Sequence, residues 1–285
     1  MNKIGFNVLA WSAVVSEELL PILDRLKKIG YDGVEFFVGA EEAAIYKRMG
    51  DHCQSIGLEV TNVFTLSAEE NLIDESESVR KNGLDRIKWA IDRCHDMNAK
   101  VLCGPYHSAF ATFAGHAPTE DEYNRSAEIL NAAGDHAAQA DVVMTIEALN
   151  RFECYLCNTM DQLLHLVEKA DHPQVKAMYD THHANIEEKK VGEAMKTIAP
   201  HLRHFHISEN DRGTPGAGHV HWDETFATLS EINYQGWYTI EGFTRNDPDF
   251  ANAINVWREF AQPWDMAEQG LKFIREMVKK HAGSS

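Results

Sequence analysis

Long apolar runs are missing from this chain of 285 residues: no stretch approaches the roughly 18 residues a bilayer-spanning helix needs, which excludes a membrane protein. A basic surplus is missing too. Lysine and arginine number 27 against 44 aspartates and glutamates, giving −17, a field that repels phosphate backbones and favours neutral small molecules or cations over nucleic acid. The five cysteines (Cys53, Cys94, Cys103, Cys154, Cys157) are odd in number and irregularly spaced, as reduced thiols are and a disulfide framework is not. Cys154-Tyr-Leu-Cys157 has the C-x-x-C form but lacks the second pair of a zinc ribbon, and no role is assigned to it. The opening Met-Asn-Lys-Ile-Gly-Phe has no basic segment, apolar core and cleavage site, so a cytoplasmic protein is expected.

What is present is regular. Hydrophobic content of 44% with 25% charged residues is ordinary for a globular enzyme. Short β-branched or aromatic runs recur at Ile4 to Val8, Gly33 to Phe37, Glu59 to Phe64, Lys100 to Gly104, Val142 to Ala148, Val175 to Tyr179, Leu202 to Ile207 and Trp237 to Glu241. Helix-period stretches lie between them. Leu19, Ile22, Leu26 and Ile29 precede a stop at Gly30; Ile45, Met49, Cys53 and Ile56 precede Gly57; Leu84, Ile87, Ile91, Cys94 and Met97 share one helix face. Thr159 and Gln162 form a capping box ahead of Leu163, Leu166 and Val167. Eight strands alternating with helices, with no break in composition, predict one domain over residues 1–285, an α/β fold closed as a (β/α)8 TIM barrel. The first strand-to-helix turn lacks Gly-x-Gly-x-x-Gly, which counts against a dinucleotide-binding open sheet.

Glu147, Asp180, His206 and Glu241 each end one of the later runs, 33, 26 and 35 positions apart. One strand plus one helix has about that length, so consecutive parallel strands would bring all four to one rim of the barrel. Strand alternation turns Val143, Thr145 and Glu147 inward, and pairs Thr239 with Glu241. Carboxylates inside a barrel are costly unless paired or bound to a cation. Three oxygens and one imidazole suit one Mn²⁺, with Mg²⁺ or Co²⁺ as alternatives; a structural zinc site would carry more cysteine or histidine. His204, two positions before His206, is expected deeper in the barrel as a hydrogen-bonded interior residue. The longest connections are expected after strands three, four, seven and eight (65–80, 105–122, 208–222 and 243–265), at the carboxyl face where barrels bind substrate. The Asn210 to Gly218 stretch is rich in turn formers, and reads equally as a set of ligand-binding amides or as a surface turn. A sugar chelated through carbonyl and hydroxyl would have an acidified C–H between two glutamates able to act as base and acid.

Four strings together, Thr-Ile-Glu-Ala-Leu-Asn-Arg-Phe-Glu (145–153), Asp-Thr-His-His-Ala-Asn-Ile-Glu-Glu (180–188), His-Phe-His-Ile-Ser-Glu-Asn-Asp-Arg-Gly (204–213) and Ile-Glu-Gly-Phe (240–243), resemble the ketose 3-epimerases. These are the D-tagatose and D-psicose (allulose) 3-epimerases of the xylose-isomerase-like barrel superfamily. Gly-Tyr-Asp-Gly-Val-Glu (30–35) and Val-Trp-Arg (256–258) extend the likeness over most of the chain. The resemblance implies a Mn²⁺-type ion on Glu147, Asp180, His206 and Glu241. It implies that Glu147 and Glu241 shuttle the C3 proton through a cis-enediolate, and that Glu153, His183 and Arg212 hold the oxygens around C1 to C3. A homodimer or homotetramer acting on a small sugar is implied as well.

Other enzymes of that superfamily, an inosose dehydratase or a hydroxypyruvate isomerase, share the metal and carboxylate plan. Its abasic-site endonucleases need more histidine ligands and a basic face, which this charge does not provide. A non-catalytic sugar or metal sensor would have no use for the paired acid–base groups Glu147 and Glu241.

Overall fold

A computed structural model describes residues 2–282. Eight parallel strands close in sequence order, β1 (Ile4–Asn7), β2 (Gly33–Phe37), β3 (Glu59–Val63), β4 (Val101–Gly104), β5 (Val143–Ile146), β6 (Val175–Asp180), β7 (Leu202–Ile207) and β8 (Trp237–Ile240), with β8 pairing back onto β1. The fold is a single (β/α)8 TIM barrel.

The periodic stretches become the outer helices. α1 (Leu20–Ile29) stops at Gly30 with φ +112°, and α2 (Ala43–Ile56) at Gly57 with φ +74°. Both are left-handed stops that free the chain to re-enter the sheet. The others are α3 (Glu77–Asp96), α4 (Glu120–Ala140), α5 (Met160–Ala170), α6 (Thr181–Glu187), α7 (Val191–Ile198), α8 (Trp222–Glu231), α9 (Pro248–Ala253) and α10 (Pro263–His281). The Thr159/Gln162 capping box opens α5 as the sequence predicts. None of the described helices is long and apolar enough to cross a membrane.

Outward strand residues such as Phe36, Met144, Ile146 and Phe205 pack with the helices in one large core. A smaller cluster of Leu9, Val63, Val101, Cys103 and Met178 fills part of the barrel. Beside it the interior is polar: Asn7, Glu35, Thr61, Thr145, His204, His206 and Thr239 are all buried. Barrel interiors are usually layered with Val, Ile and Leu, so these buried polar side chains set this lumen apart as one that supports chemistry.

Two connections differ in length from expectation. α3 already begins at Glu77, which shortens the connection after β3, and the stretch 147–159 after β5 is no shorter. All five cysteines are free and buried. Burial raises the Cys154 thiol to about 11 and the Cys157 thiol well above its ordinary value, so neither is a reactive thiolate.

Candidate metal centre and active site

Each of the four expected ligands is placed by its strand. Glu147 is the first residue past β5, its amide donating to Gly104 O at 2.9 Å. Gly104 has φ +129°, and a Cβ there would lie 2.3 Å from Phe64 O, so only glycine lets β4 present that carbonyl. Asp180 ends β6 and caps α6: its Oδ1 accepts from the amides of His182 (2.6 Å) and His183 (3.2 Å). Its Oδ2 accepts from Arg212 Nη1 at 3.0 Å. His206 lies one residue before the end of β7, and Glu241 follows β8 directly.

These four side chains converge, with one donor atom from each within 4.8 Å of the others. His206 Nδ1 lies 3.5 Å from Asp180 Oδ2, 3.4 Å from Glu241 Oε1 and 3.9 Å from Glu147 Oε1. Such separations are too long for good hydrogen bonds, but ligands about 2.1 Å from a shared ion stand about 3 to 4 Å apart. His206 Nδ1 and Glu147 Oε1 are buried without any hydrogen-bond partner. The donor set therefore fits a divalent cation.

The electrostatics agree. Burial, with Glu241 and Asp180 close by, pushes the Glu147 carboxyl well above its usual range against the pull of His206. Burial works against charge on His206, yet Glu241 and Glu35 override it and raise that pKa. Both shifts favour added positive charge beside Glu147 and His206, which a cation would supply.

Glu35, which the sequence quoted but left without a role, is the hub beneath the ligands. It is fully buried and accepts from His206 Nε2 (2.8 Å), Asn7 Nδ2 (3.1 Å), Thr61 Oγ1 (2.8 Å) and Cys103 Sγ (3.2 Å). Burial alone would protonate it, but His206 and His204 outweigh burial and hold the carboxyl well below its normal range. A carboxylate on Nε2 fixes the imidazole so that Nδ1 offers its lone pair to the metal position. Asn7 Nδ2 also reaches Glu241 Oε1 at 3.3 Å, tying the hub to a second ligand. Glu35, Cys103, His204 and His206 would themselves pass as a ligand set. Within it His206 (2.8 Å) and Cys103 (3.2 Å) hydrogen-bond to Glu35, however, so the group reads as a support and not a second ion site. His204 corrects one expectation. It is buried as expected, but its Nε2, 2.8 Å from Glu35 Oε2, lacks hydrogen-bond alignment and both its ring nitrogens are unpartnered.

Over the cluster opens a cavity of about 730 Å³, with Glu147 and Glu241 in its wall together with Glu153, His183 and Arg212. Phe152, Phe250 and Phe260 also line it. Arg212 is mostly buried and spans the site: Nη1 reaches Glu241 Oε2 (2.8 Å), Ser208 Oγ (2.8 Å) and Asp180 Oδ2 (3.0 Å). Burial opposes its charge, but Asp180 and Glu241 prevail and keep the guanidinium protonated. Its backbone sits at φ +65°, a left-handed conformation that a non-glycine residue holds only when its surroundings impose it. Its own amide donates to Glu209 O (3.0 Å) and its carbonyl accepts from the Phe243 amide (2.9 Å), while the Glu209 side chain gathers the loop around it. Its carboxylate accepts from the amides of Asn210, Gly216 and Val220 and from Trp222 Nε1, at 2.8–3.2 Å. Within the 210–218 stretch the amides of Asn210 and Gly216 thus serve the loop's own carboxylate.

Comparison with known proteins follows the same lines. The profile of the xylose isomerase-like TIM barrel family matches residues 23–277. A D-psicose 3-epimerase of Agrobacterium fabrum is 30% identical over 93% of both chains, and a probable ketose 3-epimerase of Synechocystis sp. is 29% identical over 96% of both. Among solved structures, an L-ribulose 3-epimerase superposes with a TM-score of 0.93 at 26% identity, covering 99% of this chain and 96% of its own. With its closed barrel and these relatives, the chain belongs to the xylose isomerase-like TIM barrel family and, within it, to the ketose 3-epimerases, isomerases acting on sugars.

Proposed function

We propose that this protein inverts C3 of a free ketose of the D-tagatose, D-fructose/D-psicose or L-ribulose type, with Glu147 and Glu241 as the acid–base pair. One observation carries the reading: two buried glutamates share a single cluster with Asp180 and His206 at the floor of a sugar-sized cavity. Glu147, Asp180, His206 and Glu241 would hold one divalent ion, Mn²⁺ being favoured by the donor set over Mg²⁺ or Co²⁺. When bound, it would polarise the ketose carbonyl and so acidify the neighbouring C–H.

The protein's own groups do the rest. One glutamate takes the C3 proton and its electron pair becomes the C2–C3 double bond of a cis-enediolate. The other glutamate returns a proton to the opposite face, so that C3 is inverted and each carboxylate ends one transfer from its starting state. Glu153, His183 and Arg212 hold the sugar oxygens around C1 to C3. Arg212, kept charged by its anionic neighbours, lies where negative charge develops on oxygen.

A homodimer or homotetramer belongs to this reading. Its support is that the exposed large apolar side chains, Val14, Phe113, Phe152, Ile186 and Trp257, all fall in segments following strands, on the face that carries the site.

The test is direct. With Mn²⁺ in D₂O, D-fructose, D-tagatose or L-ribulose should be converted to its C3 epimer with deuterium at C3. Unchanged sugar in every trial would favour a sensor or another reaction of the superfamily, such as inosose dehydration or hydroxypyruvate isomerisation.

A further inference from the structure

Asn150, almost fully buried in the β5–α5 connection, has both ends of its amide committed. Its Oδ1 accepts from the Phe152 amide at 3.0 Å, which settles which end is oxygen. Its Nδ2 therefore donates, to Glu153 Oε1 at 2.9 Å and to His183 Nδ1 at 2.9 Å. The main-chain N–H of Asn150 reaches the same ring nitrogen at 3.1 Å. Two donors converge on Nδ1, and one of them is a backbone amide that cannot turn round.

The consequence for the ring follows from donor counting. Nδ1 must carry the lone pair, since a proton there would meet two others head on, so the imidazole is neutral with its hydrogen on Nε2. Nε2 in turn faces Arg212 Nη2 at 2.8 Å, and a guanidinium has no lone pair to offer. Two N–H groups thus confront each other without an acceptor. The nearest carboxylate oxygen, Glu147 Oε1, is 3.8 Å from Nε2. What such a pair lacks is an oxygen between them.

We infer that Asn150 is a positioning residue: it locks His183 as an Nε2–H donor, so that His183 and Arg212 present two convergent N–H groups to one substrate oxygen on which negative charge develops. The identity of that oxygen rests on the reading under Proposed function; the tautomer does not. Preorganised donors of this kind act where charge appears in the transition state, and holding an imidazole in the wrong tautomer abolishes most of its effect. The same amide holds Glu153, so one residue aligns two pocket groups.

Nitrogen NMR of imidazole-¹⁵N-labelled, Mg²⁺-loaded protein tests the lock, with the His183 signals assigned by their loss in His183→Asn. Nε2 should be protonated and Nδ1 bare, with no sugar present. Asn150→Asp places an acceptor oxygen against Nδ1. It should draw a proton there and lower kcat about 10²–10⁴-fold on whichever ketose the wild type epimerises, with KM moving far less. Asn150→Ala keeps the backbone donor, so the Nε2–H form should persist while KM rises through the released Glu153. A wild-type ring protonated on Nδ1 overturns the inference even if the Asp variant fails to fold; so does an Asp variant that keeps a bare Nδ1. An Nε2–H ring in a protein that epimerises no ketose overturns the oxyanion role and the proposed reaction, and leaves the tautomer lock standing.

Discussion

Replacing Glu35 by glutamine changes one atom pair in the barrel centre, and its cost can be worked from the contacts. Oε1 accepts from His206 Nε2 and Asn7 Nδ2, and Oε2 from Thr61 Oγ1 and Cys103 Sγ. An amide accepts on one side only, so its NH₂ must face one of these pairs. Thr61 and Cys103 can turn their hydrogens away; His206 and Asn7 cannot without releasing a ligand. Glutamine should therefore keep its oxygen toward His206 but hold it with a neutral, weaker hydrogen bond. Partners of this kind typically contribute 10–100-fold in metal affinity, about 1.4–2.8 kcal/mol. The displaced donors add about 1–3 kcal/mol to the loss of fold stability, and each kcal/mol lowers Tm by about 2–4 °C in a chain of this size. Calorimetric titration of chelator-stripped protein with Mn²⁺ reads the first effect, and thermal melting of the stripped protein reads the second. A Mn²⁺ Kd within twofold of wild type would refute the claim that Glu35 orients His206.

Glu147→Gln and Glu241→Gln, assayed at saturating Mn²⁺, should each lower kcat by about 10²–10⁴-fold and change KM much less; near-normal turnover removes that residue from proton transfer. Mn²⁺ at about 100 times its Kd should stabilise the folded protein by about 2.7 kcal/mol, a rise in Tm that His206→Ala abolishes; an equal rise in that variant would place the ion elsewhere. Burial lowers the His107 pKa to about 4, so the folded state refuses a proton that the unfolded chain takes near 6.5. Its contribution to stability is complete above pH 6.5 and is lost as pH falls from 6.5 to about 4, by up to roughly 3 kcal/mol. Urea midpoints measured across that window should fall less in His107→Gln than in wild type, and identical slopes would contradict the assignment.

The barrel was legible because its signals are local. Glycines 30 and 57 stop helices where the apolar period ends, and strand alternation alone turns Glu147 and Glu241 inward. The ligands were legible because a barrel rim gathers strand ends, whatever the residues between. Arg212 was found only by resemblance. Nothing in Asn-Asp-Arg-Gly announces that the arginine takes a left-handed backbone, since the loop around it is gathered by Glu209 with amides from as far along the chain as Val220. Asn150 was hidden in the same way, because its acceptor His183 lies on a helix beyond the next strand.

Glu35 shows where the limit lies. It sits inside an apolar run, at no strand end, and its partner His206 is 171 residues away. β2 and β7 are not neighbours in the sheet: β1 and β8 stand between them on one side, and the contact is made across the lumen. In an open sheet that carboxylate would be buried under helices with nothing to neutralise it, at a cost of several kcal/mol. A glutamate in the middle of Gly-Val-Glu-Phe-Phe was thus itself a clue that the sheet closes, because only closure brings an imidazole from the opposite wall to meet it.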